Sequence, residues 1–513
     1  MIADTPSAKR QIKYVNGAGV NRIVSRESLD GPAVAVDPPS AAPQVFTLTA
    51  ALDGLKVEKA DPPHAASPAE TSGSEATLVP KLETKHVAAS PTVAGAPSTS
   101  SHLPVSGSGV PQSTAEPQKR SYSAPAELPT QQAARGVRFD FNDGCRVLVP
   151  EAEHPFRIRL SDLDTGNVLF DSELKSGRVN STKRYFVRFR VEVLQQGQSV
   201  LAHEYSAADR DVLIQFPVGT LGDTVGWFPY AVKFKERHGC RLTCSMAEKL
   251  IPLFRDAYPD ITFVAHEGVK PDQYYATYYL GLFFDDKHFV WQPSDFRHVG
   301  LHRTAGYILG VDPAEVPPRL ALVDDSRPIA EPYVCIAVQS TTQSKYWNNP
   351  TGWHDIIAFL KQAGYRVICI DQRRVHGTGL VWNHLPHGAE DETGDRPIAE
   401  RARWLTHAEF FVGLSSGLSW LAWASGTPVV MISGFTHPTN EFDTPYRVVN
   451  YHTCNGCWND VRHRFDHKDF LWCPRHKDTP RQFECTRLIT SEHVKATIKQ
   501  IPGFGTGKSR FHE

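Results

Sequence analysis

Between residues 135 and 208, apolar and polar positions alternate with a period of two. The runs are Val137-Arg-Phe-Asp-Phe141, Cys145-Arg-Val-Leu-Val149, Phe156-Arg-Ile-Arg-Leu160, Asn167-Val-Leu-Phe170 and Tyr185-Phe-Val-Arg-Phe-Arg-Val-Glu-Val193. Asn142-Asp-Gly144 and Asp164-Thr-Gly166 punctuate them. Alternation bounded by turn residues predicts half-buried strands, here a small antiparallel, barrel-like β domain over residues 135–208.

From Asp211 the pattern changes. Short apolar runs alternate with stretches of helical period: strand Val212–Phe216, helix to Arg237, strand Arg241–Cys244, helix Ala247–Ala257 and strand Ile261–Val264. After a proline-rich stretch, Pro313 to Pro332, the alternation restarts. It gives strand Tyr333–Val338, helix Trp353–Ala363, strand Tyr365–Ile370, helix Ile398–Thr406, strand Glu409–Gly413, helix Leu418–Ala424 and strand Pro428–Ile432. Fully apolar strands separated by helices predict parallel sheets covered on both faces. Two Rossmann-like halves, residues 209–325 and 326–450, would face each other across a cleft at their strand C-terminal ends. A finger over 451–490 and a C-terminal helix and tail over 491–513 complete the chain.

Residues 1–134 break this grammar. They are rich in Pro, Ala, Ser and Thr, contain no cysteine, and offer only Tyr14, Phe46 and Tyr122 as aromatics. Such a segment buries too little apolar surface to offset its ordering entropy, and is expected to be disordered. The N-terminus lacks the apolar core of a secretory signal, and no apolar run is long enough to span a membrane, so a cytoplasmic protein without a transmembrane segment is expected. Lys plus Arg number 55 and Asp plus Glu 56, a net charge of -1, which argues against nucleic acid or an anionic membrane as partner.

Three strand-to-helix loops carry candidate chemistry. In Gly219-Thr220-Leu-Gly222-Asp223-Thr224, glycines permit close backbone approach and Asp223 is either a general base or a helix cap. The loop has no Gly-Lys-Ser/Thr and is not a nucleotide P-loop. In Thr341-Thr342-Gln-Ser-Lys345-Tyr-Trp347, hydroxyls and a lysine at a strand end suit a pyrophosphate, the alternative being a solvated polar loop. In Ser415-Ser416-Gly417-Leu418, small residues precede a helix start, an anion-friendly geometry or a plain tight turn. Glu390, in Leu385-Pro-His-Gly-Ala-Glu390, offers a carboxylate to a ribose diol or sits in a surface turn.

Nine cysteines divide into two groups. Cys145, Cys240, Cys244, Cys335 and Cys369 lie within or beside apolar runs and read as buried thiols. Cys454, Cys457, Cys473 and Cys485 follow the spacing C-x2-C-x15-C-x11-C, that of a closed tetrahedral metal site. Zinc is the default for such a site and iron also suits four sulfurs. With no open coordination position the metal would be structural, and no catalytic metal is expected.

Together these loops resemble those of ADP-heptose-dependent heptosyltransferases: the Gly-Asp loop at Gly222-Asp223, the Thr-Thr…Lys-x-Trp loop at 341–347, Gly-Ala-Glu at 388–390, and Ser416-Gly-Leu-Ser419. With the β domain and the cysteine finger, residues 136–500 are similar to bacterial autotransporter heptosyltransferases, which modify serines of adhesin passenger domains. The resemblance implies a GT-B fold and a homo-oligomer, a dodecamer in relatives. It implies Asp223 as base, with Gly219, Thr220, Gly222 and Thr224 in its acceptor-side loop. Thr341, Thr342, Lys345, Trp347, Ser416, Gly417 and Leu418 would hold the ADP-heptose donor, with Glu390 on the ribose. Arg401, in Ala399-Glu-Arg-Ala402, would be a further donor contact. It also implies one structural iron, Fe3+, on the four cysteines, with an autotransporter passenger domain as protein acceptor. Ser415 and Trp420 depart from the Asp and His of the lipopolysaccharide enzymes, which fits a changed acceptor or a rearranged donor loop. A lipopolysaccharide-type heptosyltransferase and a non-catalytic metal-finger binding protein on the same scaffold are the competing readings.

Overall fold

The computed structural model describes residues 122–217, 220–506 and 510–511, together with the backbone of two short strands nearer the N-terminus. The chain divides into two units, residues 1–108 and 109–513. In the first, β1 (Ile12–Val15) pairs antiparallel with β2 (Asn21–Val24). The rest of the expected disordered segment up to residue 121 lies outside the described residues, as does Gly219.

The second unit runs β3 (Gln131–Gln132), β4 (Arg138–Asn142), β5 (Arg146–Val149), β6 (Phe156–Asp162), β7 (Val168–Leu174), β8 (Gly177–Asn180), β9 (Phe189–Gln195), β10 (Gln198–Glu204), β11 (Asp211–Gln215), α1 (Leu221–His238), β12 (Arg241–Met246), β13 (Thr262–Ala265), β14 (Ala276–Tyr279), α2 (Phe296–Val299) and α3 (Arg303–Leu309). The second lobe adds β15 (Tyr333–Ile336), α4 (Gly352–Gln362), β16 (Arg366–Cys369), β17 (Val375–Thr378), β18 (Val381–His384), β19 (Glu390–Asp391), α5 (Ile398–His407), β20 (Phe411–Leu414), α6 (Gly417–Ala424), β21 (Val429–Ile432), β22 (Arg447–Val448), α7 (Glu484–Arg487) and α8 (Ser491–Ile498). Its sheet, ordered β19-β16-β15-β20-β21-β22, is parallel throughout. Every residue of β15, β20 and β21 is buried, as strands covered on both faces should be.

The β domain is not separate. Strands β6, β7, β9 and β10 form an antiparallel sheet in which Phe156, Ile158 and Leu160 point inward and Arg157 and Arg159 outward, as alternation predicts. Strands β4, β5 and β8, however, extend the first Rossmann sheet, ordered β13-β12-β11-β14-β4-β5-β8, through parallel pairing of β14 with β4. Two polar positions of β4, Asp140 and Asn142, are inside rather than outside. Asp140 is fully buried, held by two bonds from Arg146 at 2.8 and 2.6 Å and one from Asn142 at 2.9 Å. A neutralised ion pair thus lets an alternating sequence occupy a strand buried on both faces.

Two other expectations change. Residues 122–134, expected to be disordered, are placed: β3 pairs with β4, and Thr130 Oγ1 donates to the Tyr274 carbonyl at 2.8 Å. The helix expected over Ala247–Ala257 is only a 3-10 stretch, Glu248–Leu253, because Pro252 has no N–H to continue it.

Candidate functional site

The two lobes meet where the first turns of α1 and α6 abut, and glycines make that approach possible. A Cβ on Gly222 would lie 2.8 Å from Cδ1 of Trp420, and one on Gly417 would lie 3.1 Å from Leu221 Cβ and 3.2 Å from the Gly222 nitrogen. One turn further along α1, a Cβ on Gly226 would meet the same indole at 3.0 Å. Two helix N-termini, each with unbonded N–H groups and a positive dipole end, therefore converge on one spot.

Asp223 stands in that spot. Thr220, not Asp223, is the residue preceding the helix; its hydroxyl donates to the Asp223 carboxylate. The helix-cap alternative for Asp223 is thus not what is observed. Burial raises its pKa, and the Thr220 hydrogen bond and the Lys345 charge offset this in part. Lys345 shows the mirror effect: burial lowers its pKa, opposed by the charges of Asp223 and then Glu441. Both residues keep some exposed surface while protein packs closely round their charged ends.

Sequence reasoning did not find Glu441 or Arg447. The Glu441 carboxylate, 1% exposed, accepts from Ser415 Oγ at 2.5 Å and Asn440 Nδ2 at 3.1 Å, and pairs with Arg447 at 3.0 Å. Its position in the loop after β21 at a strand C-terminal end was the available signal. Beside it, Ser416 precedes α6 with its hydroxyl buried and without a hydrogen-bond partner in the protein.

The other candidates divide. Thr341 is exposed at the mouth of the loop, and Leu418 and Thr220 are on the surface or partly so. Thr342 is committed elsewhere, its hydroxyl donating to the Phe470 carbonyl at 2.8 Å, and Thr224 Oγ1 donates to the Thr220 carbonyl at 3.0 Å. Trp347 is core: its indole donates to the Ile489 carbonyl at 2.9 Å and packs under Gly352. Glu390 is engaged by Arg366 through bonds of 2.9 and 2.5 Å. Arg401, 3% exposed, spends its guanidinium on the carbonyls of Glu392, Asp371 and Gly394. Trp347 and Arg401 are brought to the framework of the second lobe rather than to the cleft.

Cys454, Cys457, Cys473 and Cys485 line one cavity of about 10 Å³ with Ser344, Phe435, Trp472, Pro474 and Phe483. Cys454 also lies with His476 and Glu484, their ligand atoms within 4.8 Å of one another. Both Glu484 oxygens, however, accept from Arg481 at 2.7 Å. The five remaining cysteines are buried.

Known proteins match this arrangement. Residues 133–197 match the family "Glycosyltransferase TibC, N-terminal domain" and residues 307–464 match "Glycosyltransferase family 9 (heptosyltransferase)". The autotransporter heptosyltransferase BAHTCr of Citrobacter rodentium is 56% identical over 386 residues, 74% of this chain and 92% of its own. BimC of Burkholderia thailandensis, an inactive autotransporter heptosyltransferase, is 52% identical over 384 residues, 75% of this chain and 90% of its own. The crystal structure of TibC from enterotoxigenic Escherichia coli H10407, an iron-containing dodecameric glycosyltransferase, has a TM-score of 0.71 at 54% identity, covering 74% of this chain and 99% of that one. A second structure holds TibC with ADP-D-beta-D-heptose, at the same similarity and coverage. Among the described residues no helix is long and apolar enough to cross a membrane. By this identity and coverage the chain belongs to the autotransporter heptosyltransferase family, glycosyltransferases with the GT-B fold related to the lipopolysaccharide heptosyltransferases.

Proposed function

We propose that this protein is a cytoplasmic, homo-oligomeric glycosyltransferase that moves heptose from ADP-heptose to serine hydroxyls of an autotransporter passenger domain, with inversion. The observation that carries the reading is the close approach of the α1 and α6 first turns beside Asp223, with Lys345 near enough for its charge to act on that carboxylate. Asp223 removes the serine proton, the hydroxyl attacks the anomeric carbon, and ADP departs from the opposite face. A carboxylate whose pKa burial has raised is a stronger base than an ordinary aspartate. Lys345, the exposed Thr341, the unbonded Ser416 hydroxyl and the Gly417 end of α6 face the growing diphosphate charge. No catalytic metal is needed for that stabilisation.

The four cysteines would hold one structural iron ion, with zinc as the alternative; the metal contributes folding energy and takes no part in transfer. The iron-containing, dodecameric TibC supports both the metal and the assembly. Metal analysis of purified protein distinguishes iron from zinc, and light scattering gives the subunit number.

The deciding experiment is co-expression with a passenger fragment in cells making ADP-heptose, followed by intact and peptide mass spectrometry. A mass gain of one heptose per modified serine supports the reading; an unmodified passenger sinks it. The inactive BimC supports a second reading, a donor-binding protein that does not turn over. ADP-heptose binding without ADP release would select that one.

A further inference from the structure

The residues just before β3 lie across the acceptor lobe. Ser123 and Gln215 exchange two hydrogen bonds: the Ser123 amide donates to Gln215 Oε1 at 2.9 Å, and Gln215 Nε2 donates to the Ser123 carbonyl at 3.1 Å. Ser123 Oγ donates to the His266 carbonyl at 3.0 Å. The Tyr122 hydroxyl donates to the Leu280 carbonyl at 2.7 Å, and its ring meets Tyr279 edge-on at 5.3 Å. Gln215 ends β11, His266 follows β13 and Leu280 follows β14. These are C-terminal ends of parallel strands, where open α/β sheets receive their ligands.

Two further observations tie this strap to the chemistry. Gly281 is fitted to the tyrosine, since a Cβ there would lie 2.3 Å from the phenol oxygen. Gln215, which Ser123 holds, ends β11, and the chain runs from there into α1 and Asp223, so strap and base stand at the same end of the first sheet; the Asp223 charge, second to burial, also raises the phenol pKa. Next to Asp223 along α1, α6 packs closely, with Gly417 resting on Gly222.

We propose that Tyr122 and Ser123 form a fixed wall of the acceptor site, and that the Tyr122 ring determines how a serine-bearing polypeptide is presented to Asp223. The hydroxyl of Tyr122 is occupied by Leu280, so the face it offers the peptide is aromatic and apolar. This rests on the transfer reading above.

The test uses the full chain, a labelled serine-containing passenger peptide and ADP-heptose. In Tyr122→Ala, peptide affinity in the ADP complex and KM for peptide weaken about tenfold, the equivalent of ~1.4 kcal/mol. ADP-heptose affinity stays within about twofold, a factor worth only ~0.4 kcal/mol. Tyr122→Phe keeps the ring and stays near wild type. Gly281→Ala displaces the ring from below and matches Tyr122→Ala, and the double variant is no worse than either, the signature of a shared contact. Unchanged peptide affinity in both Tyr122→Ala and Gly281→Ala overturns the proposal, as does an equal loss of ADP-heptose affinity. Should Tyr122→Ala fail to fold, Gly281→Ala against Tyr122→Phe decides. Peptide binding is read without turnover, so a wild-type protein that binds peptide but transfers nothing defeats the transfer reading while the wall is still judged.

Discussion

The ammonium of Lys345 lies over the indole of Trp458 at 5.6 Å and over the Phe435 ring at 5.4 Å. Trp458 directly follows Cys457, and both rings belong to the aromatic cluster that packs the finger. The finger also grips the same loop through its Phe470 carbonyl, which accepts from the Gln343 amide at 2.9 Å and from Thr342 Oγ1. The cysteine-bearing segment is therefore a floor for the loop over residues 341–347, which the proposal above assigns to the donor. Replacing Trp458 with Ala removes a desolvated cation–π contact worth ~1–2 kcal/mol, so ADP-heptose affinity falls about tenfold. Calorimetry on Trp458→Ala measures this. Cys454→Ser, or metal removal by a chelator, shifts affinity the same way and lowers the melting temperature or disassembles the protein. Intact stability and affinity after metal loss would separate the finger from the donor site.

Asp223 must be ionised to act as base. Its pKa is raised by burial, so transfer is lost as pH falls, and the loss begins at a higher pH than an exposed aspartate would give. A kcat/KM profile reads this acid limb. Asp223→Asn reduces transfer by about 10²–10⁴-fold, the usual range for removing a positioned base. ADP-heptose affinity, measured in parallel, changes little. An Asp223→Asn variant with wild-type turnover would leave the carboxylate only its bond with Thr220.

Gly222→Ala should act on the lobe contact. Its new methyl meets the Trp420 indole 2.8 Å away, in a layer where α1 and α6 have no spare room. Overpacking of this kind costs ~1–3 kcal/mol and moves the first turn of α1, which carries Asp223. Both the melting temperature and kcat fall. Trp420→Phe in the same chain opens space and restores part of each, which a methyl acting elsewhere would not allow. Thermal melts and initial rates on the single and double variants supply the comparison.

Local grammar made much of this legible. Fully apolar runs became parallel strands, and α1, α4, α5 and α6 begin and end within a few residues of their expected bounds. The cysteine spacing located one cavity lined by all four thiols. What stayed hidden depends on distance along the chain. Strand β4 read as half-buried because nothing local says that Asp140 and Arg146 neutralise each other inside. Strand β14, Ala276-Thr-Tyr-Tyr279, was unmarked because its burial comes from β11 and β4 on either side. Tyr122 sat in a proline-rich stretch whose composition argues for disorder, and its place comes from the Leu280 carbonyl, 158 residues away, and the neighbouring Tyr279 ring. Trp347 and Arg401 carried family signals, yet their contacts are with the second lobe's own backbone.

Glu390 is where the two kinds of reasoning make opposing predictions. A ribose-binding carboxylate loses charged hydrogen bonds in Glu390→Gln, which costs ~1.5–3 kcal/mol and raises the ADP-heptose dissociation constant more than tenfold. The structure instead pairs both carboxylate oxygens with Arg366, and that hydrogen-bonded guanidinium holds the Glu390 pKa below the usual carboxylate range. A depressed folded pKa contributes stability above the unfolded value of about 4.3, and loses it as pH falls through the folded one. Both side chains remain 37% exposed, so the contribution is under ~1 kcal/mol. Glu390→Gln is then expected to leave donor affinity within about twofold, since Arg366 and not the ribose loses a partner. The variant's small deficit in melting temperature at neutral pH should start to shrink as the buffer is taken below the unfolded value, and vanish only once pH has passed the lower folded one, where wild-type Glu390 is neutral as well. A tenfold loss of affinity with no pH-dependent difference in melting would return Glu390 to the donor site.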